Sequence, residues 1–442
     1  MQISTPWLRI ARVFLPFAAG YYLSYLFRTI NALIASHLSS DTGLGTADLG
    51  LLTSIYFLVF AAAQIPVGIL LDRFGPRRVQ SVLLLLAAVG AALFSVSTSF
   101  LSLLIARAMI GLGVAAALTA GLKSIVLWFP RERVALLNGY MIMLGSLGAV
   151  TATAPVEHML AWMGWRPLFE ILAAATGATA ILIYVVVPER AIGQTNAHAT
   201  IGSVFGDRRF WRIAPLSATC IGSAWSLQGL WASPWLMDVE GLDRASLVQQ
   251  LLTMSIVLSC GAWLFGTTVH YIKRWGIGAE WILVMVAVLF VAAELALILR
   301  APLPSIVPWS VVAFAGTATV VSFAVIVDYF PPELAGRANG ALNVLHFGWA
   351  FLAQFGTGLI LEQWSANGGH RSVRAYQVAF VLNVALQISA LVWFALPWGR
   401  YLASRLTPIG FFVPANVFDV VESVSSYENF AILVPADDDA EW

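Results

Sequence analysis

The chain has 442 residues, of which 60% are hydrophobic and only 11% charged, and its formal net charge is +1. A soluble domain carries about 45–50% apolar and about 25% charged residues. A chain of this length cannot hide so much apolar surface from water, so the composition calls for a bilayer. The near-zero net charge supplies no basic field for nucleic acid. Cys220 and Cys260 both lie in apolar stretches, where small packing residues are expected and not a disulfide.

Arg9 and Arg12 precede an apolar run from Val13, an arrangement that imitates a signal peptide. The run is too long for one and contains Arg28, so it reads as the first membrane span. A span needs about 20 apolar residues to cross about 30 Å of hydrocarbon. Further along, runs fall at 13–37, 47–71, 79–98, 101–128, 134–160 and 167–187, then after a polar stretch at 213–237, 246–270, 280–299, 305–329, 338–361 and 375–396. Lipid offers no partner to an unpaired backbone, so these runs must be helices. They are too long and too continuously apolar for barrel strands. The expected fold is an all-α polytopic membrane protein with twelve transmembrane helices in two pseudo-symmetric six-helix bundles.

Charge placement supports that count. With a cytoplasmic N-terminus, the loops on that side hold sixteen Lys and Arg, among them Arg73, Arg77, Arg78, Arg208, Arg209 and Arg212. The opposite side holds five: Arg166, Arg244, Arg300, Arg371 and Arg374. Positive charge is retained on the cytoplasmic side of membrane proteins. The expectation is therefore a multi-pass protein of the plasma (inner) membrane with both termini cytoplasmic. The loop Phe129–Gly139, FPRERVALLNG, matches Phe330–Gly340, FPPELAGRANG, at a constant offset of 201 residues. Each would join a fourth helix to a fifth, which points to an internal duplication. The expected organisation is an N-terminal bundle over 1–187, a cytoplasmic linker over 188–212, a C-terminal bundle over 213–405 and an acidic cytoplasmic tail over 406–442.

The loop after span two reads Gly68-Ile-Leu-Leu-Asp72-Arg73-Phe-Gly75-Pro-Arg77-Arg78. Gly68 permits close helix contact, Asp72 sits at a helix end where arginines can pair with it, and Gly75 allows a tight turn. The segment reads either as a solvated basic loop or as a charge latch that holds one conformation. It resembles the signature loop of the major facilitator superfamily. Arg107-Ala-Met-Ile-Gly111-Leu-Gly113 and Gly164-Trp165-Arg166 with Phe169 resemble two further patterns of that family. The second copy of the signature loop is degenerate, with His270 where an acid would stand and Lys273 and Arg274 following. The resemblance implies alternating access, with the first, fourth, seventh and tenth helices lining a central cavity. The second, fifth, eighth and eleventh would form the interface between bundles.

An ionised side chain in mid-bilayer needs a reason. Tyr21, Tyr25, Arg28 and Asn31 recur at helical spacing on one face of span one, which suggests a substrate site built around a cation. In span four, Thr119 and Lys123 share a face, whereas Arg107 cannot share it. Lys123 either contacts substrate or snorkels. In span seven, Gln228 and Trp231 sit too deep to be interface anchors alone, with Trp225 toward the edge of their face. In span eleven, Asn343 and His346 share a face with Asn339. Substrate contact is thus expected from Tyr21, Tyr25, Arg28, Asn31, Thr119, Lys123, Gln228, Trp231, Asn343 and His346, and Arg107, Glu157 and His346 are candidates for ion coupling. Glu294 is the deepest acid, but its helix is expected to be peripheral.

Cations without central acids favour an anionic solute, because the solute neutralises the fixed charge. Phe27-Arg28-Thr-Ile-Asn31 also resembles a segment of organic-anion transporters of the superfamily. The expected protein is a secondary active transporter of a small, anionic solute, coupled to protons or sodium, seated in the lipid bilayer as a monomer. The competing readings are a drug or metabolite exporter working as a proton antiporter, and a transporter-like solute sensor. Neither H-E-x-x-H nor G-x-S-x-G occurs, so no enzyme, metal site or cofactor is expected.

Overall fold

The computed structural model describes residues 6–189, 201–330, 332–364 and 371–396. The tail at 406–442, residues 190–200 of the expected linker and the end of the expected C-terminal bundle at 397–405 lie outside the described residues. So do the side chains of His270, Lys273 and Arg274.

Every regular element among the described residues is helical. Helix α1 runs Trp7–Thr29 and continues as Asn31–Thr42 after a break at Ile30. A helix of 51 residues, Thr46–Val96, follows. At 1.5 Å per residue it would be about 77 Å long, more than twice a hydrocarbon core of about 30 Å. It is two spans. Gly75 interrupts it with φ 83° and ψ 161°, a conformation costly for any residue with a Cβ, dividing it into α2 (46–74) and α3 (76–96). Then come α4 (Phe100–Trp128), α5 (Leu136–Thr151 and Ala154–Met163, bent by 40°) and α6 (Trp165–Val186). Helix α7 covers 208–238 and contains a π-helical turn, Leu227–Trp231. The remaining helices are α8 (Arg244–Arg274), α9 (Ala279–Ile298), α10 (306–329), α11 (Pro332–Glu362) and α12 (Val373–Ala395).

Nine of the described helices are long and apolar enough to cross a membrane, and the bent pair in α5 makes a tenth. Division of the long helix at Gly75 adds one more. Helix α7 supplies the twelfth despite its polar content, because Ser217, Ser223, Ser226, Gln228 and Ser233 are buried among neighbouring helices and not exposed to lipid. It begins at Arg208, inside the stretch read as a linker, because Asp207 caps it: the carboxylate accepts the Arg209 N–H at 2.7 Å.

Outward faces are apolar, as lipid requires. Val82, Leu85 and Val89 form an exposed stripe on α3, and Trp281, Met285 and Val288 form one on α9. Inside, the family-like motifs have visible work. A Cβ at Gly113 would lie 2.4 Å from the Ala87 nitrogen, so only glycine lets α3 and α4 cross so closely. Arg166 donates to the carbonyls of Ser95 (2.9 Å) and Ser97 (2.7 Å), satisfying the C-terminal end of α3. Phe169 stacks on Phe94 with centroids 4.3 Å apart, fixing α6 against α3.

Candidate substrate-binding cavity

A cavity lies among α1, α2, α4, α5, α7, α8, α10 and α11. Its charged group is Arg28, which is only 9% exposed. The guanidinium carbon sits 3.9 Å from the Tyr25 ring centroid and 4.8 Å from that of Trp225. Two aromatic faces thus hold the planar cation without neutralising it. No carboxylate among the described residues forms an ion pair with it. Aromatic packing continues from there: Trp225 lies 4.7 Å from Phe347, and Phe347 stacks on Phe60 at 3.9 Å. Ser24, Gln64, Thr119, Thr317 and Asn343 add hydrogen-bonding groups to the wall.

Of the expected contact residues, Tyr21, Tyr25, Arg28, Thr119 and Asn343 line this cavity. The other five do not. Asn31 turns toward Arg107, whose Nη2 donates to its Oδ1 and, at 2.8 Å, to the Phe27 carbonyl. Arg107 therefore straps the break in α1 from behind the cavity. Lys123 reaches the end of α2, donating to Asp72 Oδ1 at 2.6 Å and to the Leu71 carbonyl at 2.8 Å. His346 is fully buried against Ser217, with Oγ to Nε2 at 2.7 Å. Trp231 donates to the Gln354 carbonyl at 3.0 Å, and Gln228 is buried beside it. The π-turn explains this last pair: its extra residue rotates everything after Leu227 relative to Trp225. Tyr56 and Gln64 of α2 were not foreseen as lining. Gln64, lone and polar in an apolar run, was the available signal.

The two ends of the cavity differ. At the α1–α2 loop end the elements are clamped. Arg244 of α8 makes a two-pronged pair with Glu157 of α5, at 2.7 and 2.6 Å, and also donates to the Leu33 carbonyl at 3.0 Å. Arg371 donates to Thr46 Oγ1 at 2.8 Å and lies 3.6 Å from Glu362, which accepts the Ala47 N–H at 3.1 Å. Deeper, Gln354 of α11 donates to Thr53 of α2 at 2.6 Å. At the α2–α3 loop end the ion pairs of Asp72, Arg77 and Arg78 are all made within residues 72–189. Asp72 pairs with Lys123 and not with Arg73, Arg77 or Arg78. Arg77 and Arg78 pair with Glu189, and Arg73 lies over the Phe74 ring. A Cβ added at Gly68 would meet nothing within 4 Å among the described residues, so no neighbouring helix presses on that side of it in this conformation. Among the described residues, the ion pairs and hydrogen bonds that join the first six helices to the last six near this cavity cluster at the first end.

The family model for the Major Facilitator Superfamily matches residues 17–354. The chain belongs to the major facilitator superfamily. Relatives within or near it are transporters and not enzymes. The probable sulfoacetate transporter of Cupriavidus necator is 30% identical over 35% of this chain and 36% of its own length. The hexuronate transporter of Escherichia coli K12 is 26% identical over 61% of this chain and 66% of its own length. The chain thus matches between about a third and just under two thirds of these relatives' lengths. Among solved structures, a bacterial homolog of the lysosomal transporter Spinster, inward-facing and unoccupied, superposes with a TM-score of 0.72 at 19% identity, covering 92% of this chain and all of that one. That likeness shows the shared superfamily fold.

Proposed function

We propose that this superfamily member carries a small organic anion with a carboxylate or sulfonate group across the inner membrane by alternating access. The observation that carries the proposal is Arg28: a buried guanidinium at the cavity wall, braced by Tyr25 and Trp225 and without an acid paired to it among the described residues. An incoming anion supplies the missing charge and accepts both prongs of the fork. Gln64, Asn343, Thr119 and Tyr21 would then read the solute's hydroxyl groups. The sulfoacetate and hexuronate transporters, named for anions, support the same class. A carrier of cations would instead call for an acid in the cavity wall, and the described lining holds none.

On this reading the N-terminal half (1–187) and C-terminal half (213–405) rock about the cavity, both termini are cytoplasmic, and the α2–α3 loop end faces the cytoplasm. The Glu157–Arg244 and Glu362–Arg371 pairs form the outer gate. Asp72 with Lys123 forms the inner latch of the first half. The experiment is counterflow into proteoliposomes with a hexuronate, sulfoacetate, a neutral hexose and a cationic drug. Exchange of an anion, and of neither the hexose nor the drug, is expected. Exchange of the cation or the neutral sugar alone would overturn the proposal.

A further inference from the structure

Glu294 on α9 has no solvent exposure. No Lys or Arg among the described residues pairs with it. Two amides of α12 clamp it instead: Asn383 donates to Oε1 at 2.6 Å and Gln387 donates to Oε2. Among the described residues, the other ionisable group that interacts with it is Cys220 of α7. Helix α10, which also packs on α9, has no ionisable side chain between Ile306 and Ile326. Gln387 Oε1 is buried without a hydrogen-bond partner. The amide is therefore a half-turn from presenting its carbonyl to a protonated Oε2. The clamp suits both forms of the acid: N–H donors for the carboxylate, a C=O acceptor for the neutral group.

The cluster is wired toward the cavity. Asn383 Oδ1 accepts the Ser223 hydroxyl at 2.6 Å, and Ser223 Oγ accepts the Trp349 indole N–H at 2.9 Å. Ser223 stands two residues before Trp225, whose ring covers Arg28 at 4.8 Å. One helix, α7, thus touches the cation of the central site and the clamp around the buried acid. A discrete rearrangement of α7 at one location must disturb the other.

We infer that Glu294 is a reversible proton-binding site, outside the central cavity, whose occupancy is coupled to that cavity through Ser223 and Trp225 on α7. A proton from water adds to one carboxylate oxygen, forming an O–H bond, and leaves by the reverse step. The coupling part of the inference rests on the transport reading; the proton site itself does not.

The test begins with infrared pH titration of the protein in bilayers, with no solute present. A carboxylic-acid C=O band is expected that Glu294→Gln removes, and whose acid-to-base ratio changes about tenfold per pH unit. Gln387→Ala keeps the acid and removes half the clamp, so it should shift the midpoint of that band. Superimposable spectra for wild type and Glu294→Gln, or an unmoved midpoint in Gln387→Ala, overturn the assignment. In proteoliposomes, Glu294→Gln should lower accumulation driven by a pH gradient about 5–150-fold more than it lowers counterflow exchange, the range of a typical coupling free energy. Equal losses in both assays overturn the coupling. If the anion reading fails, wild-type counterflow of anions is absent while the infrared titration still reports on Glu294.

Discussion

Replacing Arg28 probes the proposed anion site at its most exposed assumption. Arg28→Gln removes the charge and leaves an amide able to hydrogen-bond. A hydrogen bond to a charged group contributes about 1.5–3 kcal/mol, and each 1.4 kcal/mol is tenfold in affinity, so half-saturation should rise about 10–150-fold. Arg28→Lys keeps the charge but loses the planar fork and the bracing between Tyr25 and Trp225. Its loss should fall near the lower end, about tenfold, because the cation survives without its geometry. The assay is concentration-dependent counterflow of a hexuronate or sulfoacetate into proteoliposomes. Each variant is first shown monodisperse, since a buried arginine also packs. The ordering wild type, Lys, Gln is the signature. If both variants saturate within about twofold of wild type, the guanidinium is not where the solute's charge is held, and the reasoning from its missing acid fails.

Four further outcomes follow from the packing, the gates and the cap of α7. Gly113→Ala forces a Cβ to within 2.4 Å of the Ala87 nitrogen and should cost about 1–3 kcal/mol of thermal stability in detergent. Gly68→Ala, with nothing within 4 Å, should change stability by less than about 0.5 kcal/mol. Glu157→Cys with Arg244→Cys, in a Cys260→Ser background, should arrest counterflow when bridged by a short cleavable thiol crosslinker and recover on reduction; full exchange in the bridged protein would argue against an outer gate there. Asp207→Ala removes the cap of α7 and should lower stability by about 0.5–2 kcal/mol at neutral pH. Burial acts to raise the Asp207 carboxyl, but hydrogen bonds and charge from Arg209 outweigh it and hold it below its ordinary value. A depressed carboxyl stabilises above its unfolded pKa, about 3.9, and loses that contribution as pH falls through its lower folded value. The difference between wild type and Asp207→Ala should therefore shrink in acid, as a thermal melt series across pH would record.

The spans were readable because lipid enforces one rule, continuous apolar length, and Gly75 marked the division of a 51-residue helix. The three family-like motifs were readable because each meets a fixed backbone demand, as at Gly113 and Arg166. The cavity wall was half readable. Tyr21, Tyr25 and Arg28 keep an unbroken helical register, so spacing alone put them on one face. The long flexible side chain of Lys123 reaches beyond its own helical face to the nearest acid and carbonyl, Asp72 and Leu71, a choice that helical spacing alone does not make. Asn31 and His346 found Arg107 and Ser217, partners on other helices that no single-helix pattern contains.

The π-helical turn at Leu227–Trp231 carries one residue more than an α-helical ladder holds. Relatives in which α7 is regular should align to this chain with a one-residue gap inside that pentapeptide. Positions before and after the gap then have to be matched as two separate blocks. A residue that reads the solute in such a relative, if it lies beyond the gap, corresponds here to a neighbour of the side chain that simple counting would choose. Deleting a single residue from the pentapeptide would convert the turn to plain α-helix and turn the C-terminal part of α7 by about 100°, carrying the faces of Gln228 and Trp231 with it. Comparative inference about this cavity therefore depends on the insertion being recognised first.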